Sequence, residues 1–357
     1  MYRKSALMTF YAESPIHMGA GQSVSYVDLP IQRERHTSFP VLWASGIKGV
    51  IRDQASRSWN DNDKVETIFG PTDGSSDFAS CISITDAKIL LYPVRSVKGV
   101  FAWITCPFVL KRFNDDLKAL NVERGITIPE FPKRNNSDEQ DDEKILIAQD
   151  SKMKIDGNKV SLEEFVFEVN PSIDKDLAQS IGNYLPHNSL TMDLNGHIAI
   201  VSDNVFKDFV NYAVEIRTGV RIDQAKGTVK EGALFSEEFV PSESIFYSIV
   251  FITEPYFGIE KVLYEELAKD RNKEPNWDEV KGKIKGDANK KDKITTKLQR
   301  AWAGKYFTAD EIMISLEKLL DKYLLQLGGD ETTGKGYVRV KLCSTNHSGG
   351  GKHEKNS

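Results

Sequence analysis

The chain has 357 residues, of which 40% are hydrophobic and 28% are charged, and its net charge is −5 at pH 7. This composition is that of an ordinary globular protein, and the length suffices for one large domain or two. The acidic balance excludes a uniformly basic nucleic-acid-binding surface, but a local basic stripe is compatible with it. The sequence has no apolar run long enough to span a membrane.

Two features indicate the cytoplasm. The first residues alternate like a strand and lack the apolar core of a signal peptide. The three cysteines, Cys81, Cys106 and Cys343, are far apart and odd in number, so they suit a reducing compartment and form no metal-binding pattern.

The first predicted strand covers residues 5–11, and a loop flanked by Gly19 and Gly21 follows it. Within the next segment a single acid, Asp28, lies between two apolar residues, and two arginines, Arg33 and Arg35, come shortly after it. A lone aspartate in such a loop is by itself best explained as a turn-forming residue.

A helix is predicted over residues 46–58, with Ser45 as its N-cap. Its apolar residues recur at helical spacing, while Lys48 and Arg52 lie four residues apart on another face. A helix N-terminus with a hydroxyl, bare glycines and nearby cations can bind a phosphate. An ordinary core helix is an equally good interpretation.

The middle of the chain mixes strands and helices. An apolar segment at 82–91 predicts one long strand or a strand pair, and an acidic, polar segment at 129–143 predicts a solvated loop. The remaining predicted elements are strands at 100–109, 145–148 and 165–169, the last two around an Asp156-Gly157 turn, and helices at 114–120, 174–183 and 203–209.

Residues 215–241 alternate apolar and polar side chains around a Lys226-Gly227 turn signal, which predicts a hairpin. The segment carries Arg217 and Arg221 and too little apolar surface for a core, so we expect it to project as a contact element. The alternative is a solvated loop. A strongly apolar strand is predicted next, at 242–253.

The segment 265–300 is rich in lysine with interspersed acids, and a solvated insertion with partial helix explains it better than a dedicated RNA-binding element. Thr308 and Glu311 then form a capping box that predicts the start of a long helix. The tail at 344–357 is rich in glycine, serine and lysine and is expected to be disordered.

A second glycine-rich stretch, at 327–339, follows that helix. Gly329, Gly334 and Lys335 imitate a phosphate-binding loop, but Gly336 replaces the magnesium-binding Ser or Thr, and the order of helix and strand is reversed. Both departures disfavour a nucleotide triphosphatase. What remains is a run of backbone N–H groups with one lysine that can cradle a phosphate, or a plain helix-to-strand connection.

Taken together, these segments resemble the RAMP superfamily of CRISPR-associated proteins and, within it, the backbone subunit of the type III-B (Cmr) RNA-targeting effector. The matching residues span most of the chain in the expected order, although 265–300 has no assigned equivalent. They are the segments 17–21 (HMGAG), 27–34 (VDLPIQRE), 45–52 (SGIKGVIR), 232–235 (GALF) with 237–238 (EE), and 328–336.

The resemblance implies an α+β fold over residues 1–343, with an RRM-like (ferredoxin-like) core, large insertions and a β-hairpin thumb at about 217–234. It implies guide RNA, target RNA, copies of the same chain and other Cmr subunits as partners. Asp28 would be needed to cut the target with a divalent metal, Mg or Mn. The residues that would contact RNA are Ser45, Lys48, Arg52, Arg217, Arg221, Gly328, Gly329, Gly334, Lys335 and Gly336.

Chemistry makes this assignment reasonable. A 2′-hydroxyl can attack the neighbouring phosphorus once a wedge rotates the nucleotide into line. Asp28 is then a candidate general base or metal ligand. His17 is a candidate proton donor, although a packed loop histidine is the better interpretation. Glu231 and Glu237 are weaker candidates for the acidic set.

Three functions remain open at this point. The first is a catalytic guide-RNA backbone, which Asp28 favours. The second is a binding-only scaffold of the same fold. The third is a solitary nuclease that processes CRISPR RNA, which the projecting hairpin disfavours because such an enzyme need not stack on copies of itself.

Overall fold

The computed structural model describes residues 2–23, 26–71, 79–122, 125–134, 137–173, 175–223 and 226–344. Within these ranges the chain forms strands and helices in mixed order, which confirms the predicted α+β class. The predicted disordered tail lies outside the described residues, apart from Ser344 at the end of the last strand. Among the helices described, none has the length and apolar character needed to cross a membrane.

The strands are numbered in chain order. They are β1 (Lys4–Ala12), β2 (Val41–Leu42), β3 (Ile82–Ile84), β4 (Ala87–Arg95), β5 (Phe101–Thr105), β6 (Lys144–Ala148), β7 (Lys159–Leu162), β8 (Phe165–Ile173), β9 (Ile198–Ile200), β10 (Glu215–Asp223), β11 (Thr228–Phe239), β12 (Ile245–Ile252), β13 (Leu325–Gln326) and β14 (Tyr337–Ser344).

The helices are numbered in the same way. They are α1 (Ala44–Trp59), α2 (Asn62–Phe69), α3 (Pro107–Ala119), α4 (Lys175–Gly182), α5 (Leu194–His197), α6 (Asp203–Tyr212), α7 (Lys261–Lys269), α8 (Trp277–Lys283), α9 (Ala288–Ala303) and α10 (Ala309–Lys322).

One large sheet organises the molecule, in the order β13-β14-β1-β12-β4-β5-β9-β6-β8-β7, with β2 beside β4 and β3 beside β12. β1 pairs antiparallel with both β12 and β14. Every residue of β1 after Lys4 is buried, because both faces of the sheet are covered there. The strand is therefore present as predicted, but its residues do not alternate between a buried and an exposed face.

Two helices connect the central strands. α1 follows β1 and β2 and buries Ile47, Ile51 and Ala55, and α10 lies between β12 and β14. The capping box that predicted α10 is present: Glu311 N donates to Thr308 Oγ1 (3.3 Å), and Glu311 Oε2 accepts from Thr308 N (3.2 Å). A sequence signal of four residues thus located this helix start correctly.

Several local predictions need correction. The strand predicted at 100–109 ends at Thr105, because Pro107 occupies the first turn of α3, a position that suits proline. The helix predicted at 114–120 is the second half of α3. The Asp156-Gly157 turn leads into β7, so it does not join β6 to β8, which are parallel neighbours.

The segment at 82–91 was predicted as one long strand or a strand pair, and it forms two strands, β3 and β4. β3 pairs with β12, and β4 also pairs with β12, after a break in the chain between the two strands. Asp86 lies in that break. This position matters for the start of α1, which is described below.

The charged segment is not a solvated insertion. α7, α8 and α9 pack on the main core and bury Leu263, Leu267 and Leu298. Arg271 joins them to α10: its guanidinium lies 3.5 Å from the ring centroid of Trp302 and 2.7 Å from Glu311 Oε1. The apolar spacing outweighed the high lysine content in deciding where this segment lies.

The predicted hairpin forms a two-stranded sheet of β10 and β11 that is separate from the main sheet. Its turn lies at Lys226-Gly227, and Gly227 has a positive φ of 64°. The hairpin is less polar on its surface than expected, because five aliphatic side chains are 46–68% exposed. They are Ile216, Val220, Ile222, Val229 and Leu234.

Candidate functional site

The loop that carries Asp28 is attached to the base of the hairpin. Leu29 N donates to Ser236 O (3.0 Å), and Glu238 N donates to Leu29 O (3.0 Å), so the loop runs beside β11 as a short parallel bridge. The Asp28 carboxylate takes part as well: its Oδ2 accepts from Ser236 N (2.8 Å) and from Ser236 Oγ (2.9 Å). Asp28 therefore has a defined position although its side chain is exposed.

The hydrogen bonds from Ser236 also affect the protonation of Asp28. The two hydrogen bonds from Ser236 lower the pKa of the Asp28 carboxyl, because they stabilise the ionised form. The carboxylate is therefore an anion at neutral pH. The principal partner of this side chain is 208 residues away in the chain, so the turn-forming interpretation does not describe its role.

His17 is packed inside the protein rather than presented to solvent. It is 9% exposed, and its ring lies 5.5 Å from that of Phe239. Its Nδ1 lies 2.7 Å from the carbonyl oxygen of Glu238, so Nδ1 must carry a hydrogen and donate it. This hydrogen bond and the contact with Phe239 agree with the interpretation of His17 as a packed loop histidine.

Glu237 connects this region to the glycine-rich stretch. Partial burial raises the pKa of the Glu237 carboxyl, the negative charge of Asp330 raises it further, and His17 offsets part of the effect. Glu237, His17 and Asp330 thus lie close enough to interact. The side chains of Glu231 and Arg221, two other predicted site residues, lie outside the described part of the structure.

Sequence reasoning missed a buried glutamate next to these residues. Glu238 is 6% exposed; its Oε2 accepts from Ile31 N (2.9 Å), and its Oε1 pairs with Arg33 (2.5 Å). Arg33 also donates to the carbonyl oxygen of Val210 (2.9 Å). This ion pair joins the Asp28 loop to β11. Glu237 and Glu238 are adjacent acids in a strand, and the sequence did not indicate which of the two side chains would be buried.

The glycine-rich stretch packs against the segment that contains His17. Gly329 N donates to His17 O (2.9 Å), and Gly336 N donates to Pro15 O (2.8 Å). A Cβ on Gly328 would lie 2.2 Å from His17 O, and its φ of +84° also requires glycine. Gly328 is therefore needed for the close approach of two segments of the same chain.

The prediction that this stretch offers free backbone N–H groups is wrong for four of its amides. Besides Gly329 and Gly336, Gly334 N donates to Glu331 O (2.9 Å) and Lys335 N donates to Asp330 O (3.2 Å). A phosphate bound here would have to contact other groups of the loop, of which the Lys335 side chain is the cationic one.

The start of α1 also differs from the prediction. The helix begins at Ala44 with Trp43 as its N-cap, so Ser45 lies inside the first turn and is exposed. Asp86 Oδ1 accepts from Ala44 N (2.7 Å), so a carboxylate from the β3–β4 break already satisfies part of the helix end. Gly46 is bare because Met18 packs on it: a Cβ would lie 2.6 Å from Met18 Cε.

Besides Lys335 in the glycine-rich stretch, the predicted RNA-binding cations with described side chains lie in two further places. Lys48 Nζ lies 3.3 Å from Ile82 O, and burial, together with the charge of Arg52, lowers the pKa of Lys48. These two residues thus lie next to β3. Arg217 instead lies at the hairpin base, where it pairs with Glu215 and covers the Phe239 ring at 5.6 Å.

Metal binding was predicted at Asp28. In the ranges that the structure describes, no three His, Cys, Asp or Glu side chains gather as a metal cluster. A metal cage made of protein ligands alone therefore does not fit. Magnesium, however, is commonly held by one or two carboxylates together with substrate phosphates, and an exposed, ionised Asp28 fits that mode.

Comparisons with known proteins place these features in a family context. Residues 9–339 match the model of the RAMP superfamily. The chain is 36% identical over 352 residues to "CRISPR system Cmr endoribonuclease Cmr4" of Pyrococcus furiosus, covering 97% of this chain and 98% of that protein. It is 25% identical over 269 residues to "CRISPR system CMR subunit Cmr4" of Saccharolobus solfataricus, covering 68% and 85%.

Solved structures agree. The crystal structure of oligomeric Cmr4 from Pyrococcus furiosus matches with a TM-score of 0.60 and 30% identity, over 96% of this chain and 99% of that one. A cryo-EM structure of the type III-B Cmr-beta complex bound to cognate target RNA contains a chain that matches with a TM-score of 0.61 and 19% identity, over 96% and 98%. At that identity, the second match shows a common fold.

Proposed function

The chain belongs to the RAMP superfamily, and from this premise we propose that it is a guide-RNA-binding backbone subunit of a type III-B CRISPR effector that also cleaves the paired target RNA. The observation that carries the catalytic part is Asp28, an exposed and ionised carboxylate that two hydrogen bonds hold at the base of the hairpin. A carboxylate in a defined position beside a projecting wedge is what strand cleavage at that wedge requires.

The reaction we propose is attack by a target 2′-hydroxyl on the adjacent phosphorus, with departure of the 5′-oxygen and formation of a cyclic phosphate. The lowered pKa of Asp28 makes it a weak proton acceptor at neutral pH, since a general base works best with a pKa near the working pH. Asp28 is therefore better suited to orienting the hydroxyl or holding a cation than to removing a proton. Glu237, whose pKa is raised, is the better proton acceptor.

A divalent metal, Mg or Mn, is part of the proposal. Asp28 is the residue that would hold it, and a bound divalent cation supplies stabilisation of negative charge on the phosphate. The remaining ligands would come from RNA phosphates and water, since the described residues form no group of three His, Cys, Asp or Glu side chains.

Guide binding is assigned to cations on both sides of this site. Ser45, Lys48 and Arg52 would contact the guide near α1, and Lys335 would do so from the glycine-rich stretch. Phosphate contacts of this kind add affinity without reading sequence, which suits a subunit whose specificity comes from base pairing. Arg217 and Arg221 would contact RNA along the hairpin.

The proposed core is ferredoxin-like (RRM-like). In its support, the four central strands have the order β14-β1-β12-β4 with all neighbours antiparallel, and α1 and α10 make the two crossovers. The other strands and helices would be insertions into this unit. We place the subunit in the cytoplasm, in support of which Cys81 and Cys106 are buried free thiols.

The partners proposed are guide RNA, target RNA, further copies of this chain and other Cmr subunits. The alternative function is a non-catalytic scaffold of the same complex, in which a neighbouring subunit cleaves the target. The two functions differ in what they require of Asp28, so one substitution separates them.

The test is Asp28→Asn, which keeps the size of the side chain but removes its charge. We expect target cleavage by the assembled complex to fall by orders of magnitude, because a neutral amide cannot hold the divalent cation whose charge stabilisation is worth several kcal/mol. Guide and target binding should be unchanged, because they depend on phosphate contacts and base pairing elsewhere. The assay is cleavage and binding of one matched RNA, with and without magnesium or manganese.

Ser236→Ala is the matched positioning variant. It removes the Oγ donor and leaves the Ser236 N donor in place, so cleavage should fall less than in Asp28→Asn. Normal cleavage by Asp28→Asn would remove Asp28 from the mechanism and make the scaffold the correct function.

A further inference from the structure

A cavity of about 400 Å³ lies between the end of α1, the start of α2, the end of α10 and the turn that follows α9. It is far in the fold from the Asp28 loop, at the opposite end of α1. Cationic and aromatic side chains dominate its lining: Trp59, Lys64, Lys305, Lys318, Lys322 and Tyr323.

The charges of this cavity are not balanced by the protein. Within the described residues, none of its four lysines is in an ion pair, whereas Lys281, Lys283 and Lys285 in the neighbouring segment all are. The one carboxylate in the lining, Glu311, is already paired with Arg271 at 2.7 Å. A net positive cavity of this kind favours an anionic ligand.

Lys64 is the least favourably placed of the four. It lies in the first turn of α2, where the helix dipole disfavours a cation. It is half-buried, and burial lowers the pKa of Lys64, with the charge of Lys318 lowering it further and Asp61 offsetting part of the effect. Glu311 also offsets part of the effect, and the ring centroids of Trp59 and Tyr306 lie 4.5 Å and 6.0 Å from Nζ.

The aromatic lining narrows the chemistry of the ligand. Trp59 and Tyr323 line the cavity, with Lys64 over the Trp59 ring and Lys322 over the Tyr323 ring, and Ser315 lines it with a hydroxyl. A base stacked on an aromatic ring beside a phosphate on lysine is the common arrangement at single-strand and nucleotide sites. The volume also fits a ligand of mononucleotide size.

We propose that this cavity is a binding site for a nucleoside phosphate, separate from the guide-binding and cleavage site. The ligand is either a free nucleotide or one nucleotide of an RNA strand that passes the back of the subunit. The two sources share the same chemistry, so the cavity would use Lys305 and Lys318 for the phosphate in either case.

The experiment is calorimetric titration of the full chain with AMP, with a short single-stranded RNA and with inorganic phosphate. The test variant is Lys305→Gln/Lys318→Gln; both side chains are exposed, so the fold should be unaffected. The matched control is Lys290→Gln/Lys293→Gln, which removes two exposed lysines of α9 that do not line the cavity. Lys305→Arg/Lys318→Arg keeps the charge.

We expect AMP or the RNA to bind the wild-type chain, the control and the arginine variant alike, and to bind the test variant about tenfold or more weakly. Weaker binding of AMP to the test variant would identify a free nucleotide as the source. Weaker binding of the RNA to that variant, with no AMP bound by the wild-type chain, would identify a strand, since RNA held at the proposed guide site is unaffected by these substitutions. The proposal is overturned if neither ligand binds, if the test variant binds both as tightly as the wild type, if inorganic phosphate binds as tightly as AMP, or if the control loses as much affinity as the test variant.

Discussion

Two charged regions of this molecule differ in whether they pack on the core: the α7–α9 segment does, and the β10–β11 hairpin projects. The segment from α7 to α9 packs on the core through side chains at helical spacing, such as Ile294 and Leu298. The hairpin of β10 and β11 has five Ile, Val and Leu side chains, and all five are exposed, among them Val220 and Leu234. Charge content therefore does not distinguish a docked element from a projecting one.

The difference lies in how the apolar side chains are arranged and what they can reach. In α9 they line one face of a helix that lies against α2, so they are buried together. In the hairpin they alternate along two strands that pair with each other and with no strand of the main sheet. A two-stranded sheet has no second layer to cover it, so its apolar surface remains available for a partner.

The largest effect on stability should come from truncating a buried side chain in the α7–α9 segment. Leu298→Ala removes a side chain with no exposed surface, and we expect a loss of about 2–5 kcal/mol in the free energy of unfolding. Leu234→Ala in the hairpin is the control, with an expected change within ~0.5 kcal/mol, because that side chain is 68% exposed. Urea denaturation measures both.

Equal losses in those two variants would show that the hairpin packs against the core in solution. They would also contradict its assignment as a projecting element.

A smaller loss should follow from Arg271→Met, which leaves Glu311 without its partner and removes the stacking on Trp302. Both ion-pair side chains remain 17–18% exposed, so we expect about 1–3 kcal/mol, below the range for a fully buried pair. Lys281→Met breaks an exposed pair of the same segment and should cost at most ~1 kcal/mol.

The free energies of unfolding of Arg271→Met and Lys281→Met are compared by thermal or urea denaturation. If Lys281→Met proved as damaging as Arg271→Met, then the segment would be held by surface charge rather than by buried contacts.

Shortening the hairpin at residues 219–230 to a tight turn should change stability very little, since the removed side chains contribute mostly exposed surface. It should instead alter assembly of the subunits along the guide RNA, or make the positions of target cleavage less regular. Circular dichroism and the fragment lengths of a matched target separate these outcomes. Loss of cooperative unfolding would mean that the hairpin belongs to the core.

The smallest effect concerns Glu237 at the hairpin base. Because its pKa is raised in the folded state, its contribution to stability is present at low pH and is lost as the pH rises through that pKa. Glu237→Gln should therefore be slightly more stable than wild type at pH 7, within ~0.5 kcal/mol, and this advantage should shrink at pH 4. An advantage that grows on acidification would mean that the sign of the shift is wrong.

The sequence by itself determined the elements whose signals are local. β1 follows from its strand-like alternation, the hairpin from alternation around Lys226-Gly227, and α10 from the capping box at Thr308. Each of these depends on residues within a few positions of one another, so neighbouring chain segments add little to the decision. The choice of Asp28 as a site residue depended on a family resemblance, because a lone loop aspartate carries no local signal.

Only the tertiary structure decided what these elements contact. The partner of Asp28 is Ser236, 208 residues away, and the start of α1 is capped by Asp86 from the β3–β4 break. The amides of the glycine-rich stretch donate to carbonyl groups of residues 15–17 and of their own loop. These amides are therefore not free to bind a phosphate, contrary to the prediction from the sequence. Backbone and carboxylate groups accept whichever partner folding brings within hydrogen-bond distance, and sequence spacing does not encode that distance.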